Sequence, residues 1–223
     1  MCGRYSNHMS WREIHGLYRL TVTDSAPNLR ARYNVCPTDI MPVIRWENGQ
    51  RRLAMNRWGL VPFWSKDGKD GAKTINARAE SVTEKPSFRD PFKMRRCLVP
   101  ADGYYEWKPE VGKKQPYLVQ LDPPGPMTFA GLWDSWVPKS ATERAIETYS
   151  IITTAANASV SPLHDRMPLM LAESEWDTWL SGSADDAKAL LRPISQRVSF
   201  FPVSQKVNTA KFDDPACIER STL

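Results

Sequence analysis

Apolar residues in this chain come in short runs separated by proline, glycine and polar clusters, a pattern that predicts many short strands and turns and few long helices. Ser10-Trp11-Arg12-Glu13 reads as a capping box, so a short helix is expected over 11–20. A loop through Pro27 and Asn28 follows. Asp39 to Trp46 reads as a strand, Asn48-Gly49 as a tight hairpin turn, and Arg51 to Leu60 as the returning partner. Pro62-Phe63-Trp64 opens a polar loop that runs to Gly71. Ser87 to Met94 reads as a short helix, and Cys97 to Trp107 as one strand with an aromatic end. Tyr117 to Leu121 and Met127 to Val137 read as strands joined by the turn Pro123-Pro124-Gly125-Pro126. Thr148 to Ala155, β-branched and apolar, predicts a buried strand. Met167 to Leu171 is another short apolar run. A helix is expected to start at Ser174-Glu175-Trp176, another over Ala184 to Leu191, and a late strand over Ser199 to Val203. The last fifteen or so residues read as polar and irregular.

No repeat, low-complexity tract or Gly/Ser linker interrupts this order. The expected fold is α+β, a single compact domain over 1–223 built on mostly antiparallel strands in a barrel-like sheet with short flanking helices. A doubly wound parallel sheet is disfavoured, because long helices do not alternate with the strands. Eighteen prolines and nine tryptophans in 223 residues strengthen the reading of many short strands.

No apolar stretch approaches the ~18 residues of a membrane span, and no basic-then-apolar leader opens the chain. A cytoplasmic protein is expected, nucleoid-associated if bacterial, with no membrane partner and nothing that demands more than a monomer. Cys2, Cys36, Cys97 and Cys217 form no C-x-x-C pair, so they read as free thiols. His8, His15 and His164 do not cluster with them, so no metal site and no cofactor is expected. The net charge of +5 is compatible with a polyanion partner.

Four polar segments carry candidate chemistry. The first is Cys2-Gly3-Arg4. Cells trim an initiator Met that precedes a small residue, which would leave Cys2 with a free α-amine beside its thiol. The amine titrates near roughly 7.7–8.0 and a thiol near about 8.5, so both are partly nucleophilic at neutral pH. The second is Thr74 to Glu80, where Asn76 and Arg78 face the same way if the segment is extended. The alternative is an ordinary polar strand edge or turn. The third is Ala101 to Trp107. Glu106, between Tyr105 and Trp107, would be a desolvated general acid if it points inward, or a wet-face residue if it does not. The fourth is Leu163 to Pro168. His164 is a natural proton shuttle or a surface histidine, and Asp165 is expected to point away from it as neighbours on an extended chain do. Trp58, Phe63, Trp64, Tyr104, Tyr105 and Trp107 form an aromatic set suited to stacking on bases, with Trp58 the one best suited to the core and Phe63-Trp64 to exposure.

The ordered set Cys2-Gly3-Arg4-Tyr5, Arg32-Tyr33-Asn34-Val35 with Pro37, Arg57 to Pro62, Ile75 to Glu80, Pro100 to Trp107 and His164 to Pro168 resembles the SRAP family, the SOS-response-associated peptidases and abasic-site processing proteins. A weaker likeness continues through Val203-Ser204 and Val207-Asn208. The resemblance implies a groove for single-stranded DNA containing abasic sites, and a covalent reaction of Cys2 with the opened abasic sugar. In that reaction the amine adds to the aldehyde and the thiol closes a thiazolidine, which shields the lesion. The same resemblance implies that Glu106 aids sugar opening as an acid/base, His164 shuttles protons and assists reversal, and Asn76 orients the Cys2 amine. It further implies that Arg4, Arg78 and Arg166 hold phosphates, and that Pro37, Phe63, Trp64, Trp107 and Thr153 contact DNA or wall the site. Cys36 departs from the family's usual Ala, so a second thiol is expected near Cys2, either to oxidise with it or to play no part. A thiol peptidase or amidase, and a non-catalytic single-strand binder, remain as alternatives.

Overall fold

A computed structural model describes residues 2–21, 28–110, 113–138 and 144–222. The strands are β1 (Tyr5–Asn7), β2 (Arg32–Val35), β3 (Ile40–Glu47), β4 (Gln50–Trp58), β5 (Asn76–Arg78), β6 (Arg96–Ala101), β7 (Gly103–Glu110), β8 (Lys113–Leu121), β9 (Met127–Trp136), β10 (Ile146–Ala155), β11 (Arg166–Pro168) and β12 (Val198–Pro202). The α-helices are α1 (Trp11–Tyr18), α2 (Arg89–Met94), α3 (Trp176–Ser181) and α4 (Ala184–Ala189). One sheet runs β12-β8-β7-β1-β2. The other runs β11-β10-β4-β3-β6-β9, and a further β10–β9 pairing closes β10, β4, β3, β6 and β9 into a barrel. The fold is α+β on mostly antiparallel strands, as the sequence predicts. The exceptions are the parallel pairings of β10 with β4 and with β5.

Local signals explain the frame. Ser10 Oγ accepts from the Glu13 amide at 3.3 Å and Glu13 returns to the Ser10 amide at 2.7 Å, completing the box that starts α1. Asn48 and Gly49 take φ of 52° and 78°, the left-handed pair a two-residue hairpin needs, and they set the β3–β4 register at Glu47↔Gln50. α1 stops at Tyr18 because Arg19 turns left-handed at φ 50°.

Cys97 to Trp107 is not one strand. It bends at Asp102, so β6 lies in the barrel and β7 in the other sheet. The Asp102 amide bonds Ser6 O at 2.8 Å and its carboxylate accepts the His8 amide at 2.7 Å, which pins the corner. At Gly103 a Cβ would lie 2.9 Å from Val119 O and from Leu118 Cδ1, so β7 packs there only without a side chain. β8 and β9 likewise belong to different sheets, and the proline-rich turn between them is a crossing.

Alternation along these strands feeds separate apolar clusters. Cys97, Val99 and Ala101 of β6 join Cys2, Tyr5, Trp58, Tyr104 and Tyr149 where the two sheets meet. Leu98 turns to Ile14, Tyr18, Phe92 and Trp179 of the helices. Both faces of β6 are therefore covered, which is why it reads as a continuous apolar run. Tyr105 and Leu118 face the third cluster, closed by Val207 and Cys217. Among the described residues the polar tail carries short 3₁₀ turns and one bridge, Arg220 to Val203, and packs on this cluster.

Candidate functional site

The site forms where two short strands, β5 and β11, flank the long β10. β5 pairs with β10 at Ile151↔Asn76 and Thr153↔Arg78, and β11 pairs with the same strand at Ala155↔Arg166. β10 therefore holds the Asn76 and Arg78 strand beside the segment that carries His164 and Arg166. Ala77 is buried between Asn76 and Arg78, so those two face together, as the i, i+2 spacing predicts. On β7, Glu106 shares the face of Tyr104 and turns inward, 3% exposed, while Tyr105 and Trp107 take the other face.

Cys2 is fully buried in the cluster between the sheets. Asn76 Nδ2 donates to Cys2 O at 2.8 Å, tying the start of the chain to β5. The Cys2 thiol lies 3.8 Å from Arg4 O, its acceptor. Burial, then the nearby Glu106 charge, pushes the thiol far above the ordinary cysteine range, so the resting group is S–H. Burial also raises the Glu106 carboxyl, with nearby positive charge pulling partly against it.

His164 Nε2 lies 3.8 Å from Glu106 Oε2. Its Nδ1 accepts the Arg166 amide at 2.9 Å and lies 2.8 Å from Asp165 Oδ1. The expectation that Asp165 points away is therefore wrong. His164 ends a turn and Asp165 sits in a bend, so the opposition of neighbours on an extended strand does not apply. Nδ1 thus has a donor for its lone pair and an acceptor for its proton, a partner for each protonation state.

Arg4, Glu106, Trp107, Lys114, His164 and Asn208 line an open cavity of about 540 Å³. A second cavity, about 560 Å³, lies among Arg30, Ile40, Met55 and Lys211 and contains none of the reactive groups. The chemistry, not the volume, selects the first. Among the described residues no three His, Cys, Asp or Glu come together as metal ligands.

A model of the SOS response associated peptidase (SRAP) family matches residues 1–210. The chain belongs to the SRAP family. It is 36% identical to the abasic site processing protein YoqW of Bacillus subtilis, over 98% of this chain and 99% of that protein. It is 34% identical to the abasic site processing protein HMCES of Gallus gallus, over 85% of this chain and 66% of that one. A crystal structure of a Bacteroides thetaiotaomicron protein superposes with a TM-score of 0.87 at 28% identity, covering 99% of this chain and all of the other.

The other SRAP motif residues take varied positions. Arg78 is exposed. Arg4 and Arg166 are already engaged. Arg4 Nη1 donates to Asn34 Oδ1 at 2.8 Å and Val207 O at 2.7 Å. Arg166 forks onto Glu80 at 2.6 and 3.1 Å and reaches Thr153 O at 2.7 Å. Thr153 is fully buried, so it holds Arg166 and offers no outer contact surface. Pro37 is half-buried in a turn. Phe63 and Trp64 stand 69% and 45% exposed, edge to face at 5.0 Å. Trp107 is half-buried and donates to Asn208 Oδ1 at 2.7 Å. Trp58, Tyr104 and Tyr105 are fully buried and present no ring for stacking.

All four cysteines are buried free thiols, and Cys36 Sγ donates to Asn34 O at 3.3 Å. Sequence reasoning missed the part played by Asn34. Its side chain binds Arg4 and also donates to Val207 O, Thr209 O and Phe212 O. It missed Asp213 as well, whose carboxylate takes Arg32 Nε at 2.6 Å and the Tyr33 amide at 2.6 Å. The only sequence signal for either is the motif Arg32-Tyr33-Asn34-Val35 itself.

Proposed function

We propose that this chain processes abasic sites in single-stranded DNA by capturing the opened sugar on Cys2 as a thiazolidine. One observation carries the reading: Cys2, held through its carbonyl by Asn76, is buried with Glu106, and Glu106 and His164 open onto a cavity walled by Arg4 and Lys114. The named relatives YoqW and HMCES support the same lesion.

In this reading Met1 is removed and the Cys2 amine adds to the sugar aldehyde. Glu106, whose hold on its proton burial strengthens, gives a proton to the departing oxygen. His164, with a partner for either state of Nδ1, relays protons at the cavity mouth and serves reversal. Asn76 Oδ1 is buried and lacks a hydrogen-bond partner among the described residues, and it is the acceptor that orients the amine N–H. Arg78 takes a phosphate directly. Arg4 and Arg166 act from positions fixed by Asn34 and Glu80. Pro37, Phe63, Trp64 and Trp107 serve as rim contacts to bases and sugars.

The test is incubation with a single-stranded oligonucleotide bearing one abasic site, followed by heat and detergent. A stable adduct is expected, with the intact mass of protein lacking Met1 plus DNA less one water. Cys2→Ala is expected to give none, and equal yield from that variant sinks the proposal. The family description also names a peptidase. Cleavage of a leader placed before Cys2, lost in Glu106→Gln, without any DNA adduct would favour that second reading.

A further inference from the structure

Tyr104 is unexplained by these roles. It is fully buried, and its hydroxyl lacks a hydrogen-bond partner among the described residues. A native fold rarely tolerates this, because a buried hydroxyl left unpaired costs about 1–3 kcal/mol. Two neighbouring tyrosines of this cluster do not share the defect: Tyr5 and Tyr149 pair their hydroxyls at 2.7 Å. The Tyr104 ring is braced edge-on against Phe129 at 6.1 Å, so the hydroxyl cannot swing out to water.

Its place in the fold points to an occupant. Tyr104 and Glu106 are i and i+2 on β7 and face the same way, and Tyr104 shares the inter-sheet cluster with Cys2. Burial raises its phenol well above the ordinary tyrosine range, and negative charge arising on Cys2 or Glu106 acts in the same direction. The hydroxyl thus keeps its proton at every working pH and is a fixed donor.

We propose that Tyr104 is a catalytic residue that donates its hydroxyl proton in a hydrogen bond to the Cys2 sulfur while the thiazolidine ring closes. The inference rests on the covalent-capture reading above. After the carbinolamine loses water, using the Glu106 proton, the intermediate is a protonated imine and Glu106 is a carboxylate. The thiol then gives its proton to that carboxylate and forms the C–S bond. The C=N electron pair moves to nitrogen, which leaves a neutral ring and restores the Glu106 acid. Negative charge develops on sulfur in a site where burial opposes it. A hydroxyl from the same buried cluster that donates to that sulfur offsets the opposition, and it gains the partner it lacks at rest.

Tyr104→Phe removes only the oxygen. It is expected to fold with unchanged or raised melting temperature, since no hydrogen bond is lost. Two products are then followed on abasic single-stranded DNA: imine trapped by borohydride, and adduct that survives heat without borohydride. Tyr104→Phe is expected to trap imine like the parent and to close the ring roughly ten- to a hundredfold more slowly, as for loss of a hydrogen bond to a charged group. Tyr5→Phe, which breaks only the paired hydroxyls, is expected to lower stability and leave the closure rate unchanged. Equal closure rates in Tyr104→Phe and parent overturn the inference while the capture reading stands. So does a parallel loss of imine and ring. If the parent itself forms no adduct, the capture reading fails first and takes this role with it.

Discussion

Asn34 joins the candidate site to the C-terminal segment, and its truncation can be worked through in numbers. It is fully buried. Its amide nitrogen has two hydrogens, shared among Val207 O at 3.1 Å, Thr209 O at 3.2 Å and Phe212 O at 2.7 Å. Asn34→Ala therefore strips two hydrogens from carbonyls that are buried or partly buried, at about 1–2 kcal/mol each, the lower part of the range for an unmet buried group. Arg4 also loses Asn34 Oδ1 but keeps Val207 O, so that loss falls at the low end of the same range. A total of about 3–5 kcal/mol follows, a large share of the ~5–15 kcal/mol of a typical domain. With a slope of about 2 kcal/mol/M, the urea midpoint is expected to drop by roughly 1.5–2.5 M. Asn34→Asp keeps an oxygen for Arg4 and removes both hydrogens. It is expected to expose the chain after Val207 to limited proteolysis. A midpoint shift below about 0.5 M for Asn34→Ala, with the tail still protected in Asn34→Asp, refutes the latch.

Three further expectations follow from single features. Burial raises Glu106, so the folded state holds its proton to a higher pH than the unfolded chain. Above the unfolded value of about 4.3 the unfolded chain binds fewer protons, and this group costs stability as pH rises toward its folded pKa. Glu106→Gln is therefore expected to be more stable than the parent near pH 7 and equal to it below about pH 4, read by melts across pH. Adduct formation by the parent should fall as pH rises through the folded pKa. A Gln variant no more stable at neutral pH contradicts the assignment. Gly59 has φ 117°, and a Cβ there would lie 2.6 Å from Gly71 O. Gly59→Ala is expected to cost at least ~3 kcal/mol, a fall of about 6–12 °C in Tm, and an unchanged Tm rules the contact out. Arg78→Ala is expected to reduce the log–log salt slope for intact single strands by roughly 0.7, and an unaltered slope removes Arg78 from the phosphate contacts.

Much of the frame is legible in the chain because its signals are local. The Ser10–Glu13 box, the Asn48-Gly49 turn and the β-branched run of β10 each depend on a few neighbouring residues. The three-residue strands β1 and β5 are not legible. Neither is long enough to show a period, and each exists only because β7 or β10 lies alongside. The corner at Asp102 was hidden for a related reason: apolar residues stand on both sides of it, Leu98 to Ala101 and Tyr104-Tyr105, and the Ser6 and His8 contacts reveal the change of sheet.

The chemical inventory was fixed by residue identity and order alone: a cysteine after Met1, an asparagine two residues from an arginine, a glutamate between aromatics, a histidine before Asp-Arg. Tertiary structure decided which of these meet and in what state. Burial, a property of the whole packing, keeps the Cys2 thiol protonated and lifts Glu106. Distant backbone and carboxylates occupy Arg4 and Arg166 while leaving Arg78 at the surface. Solvation and pairing depend on neighbours far along the chain, and those neighbours exist only once it has folded.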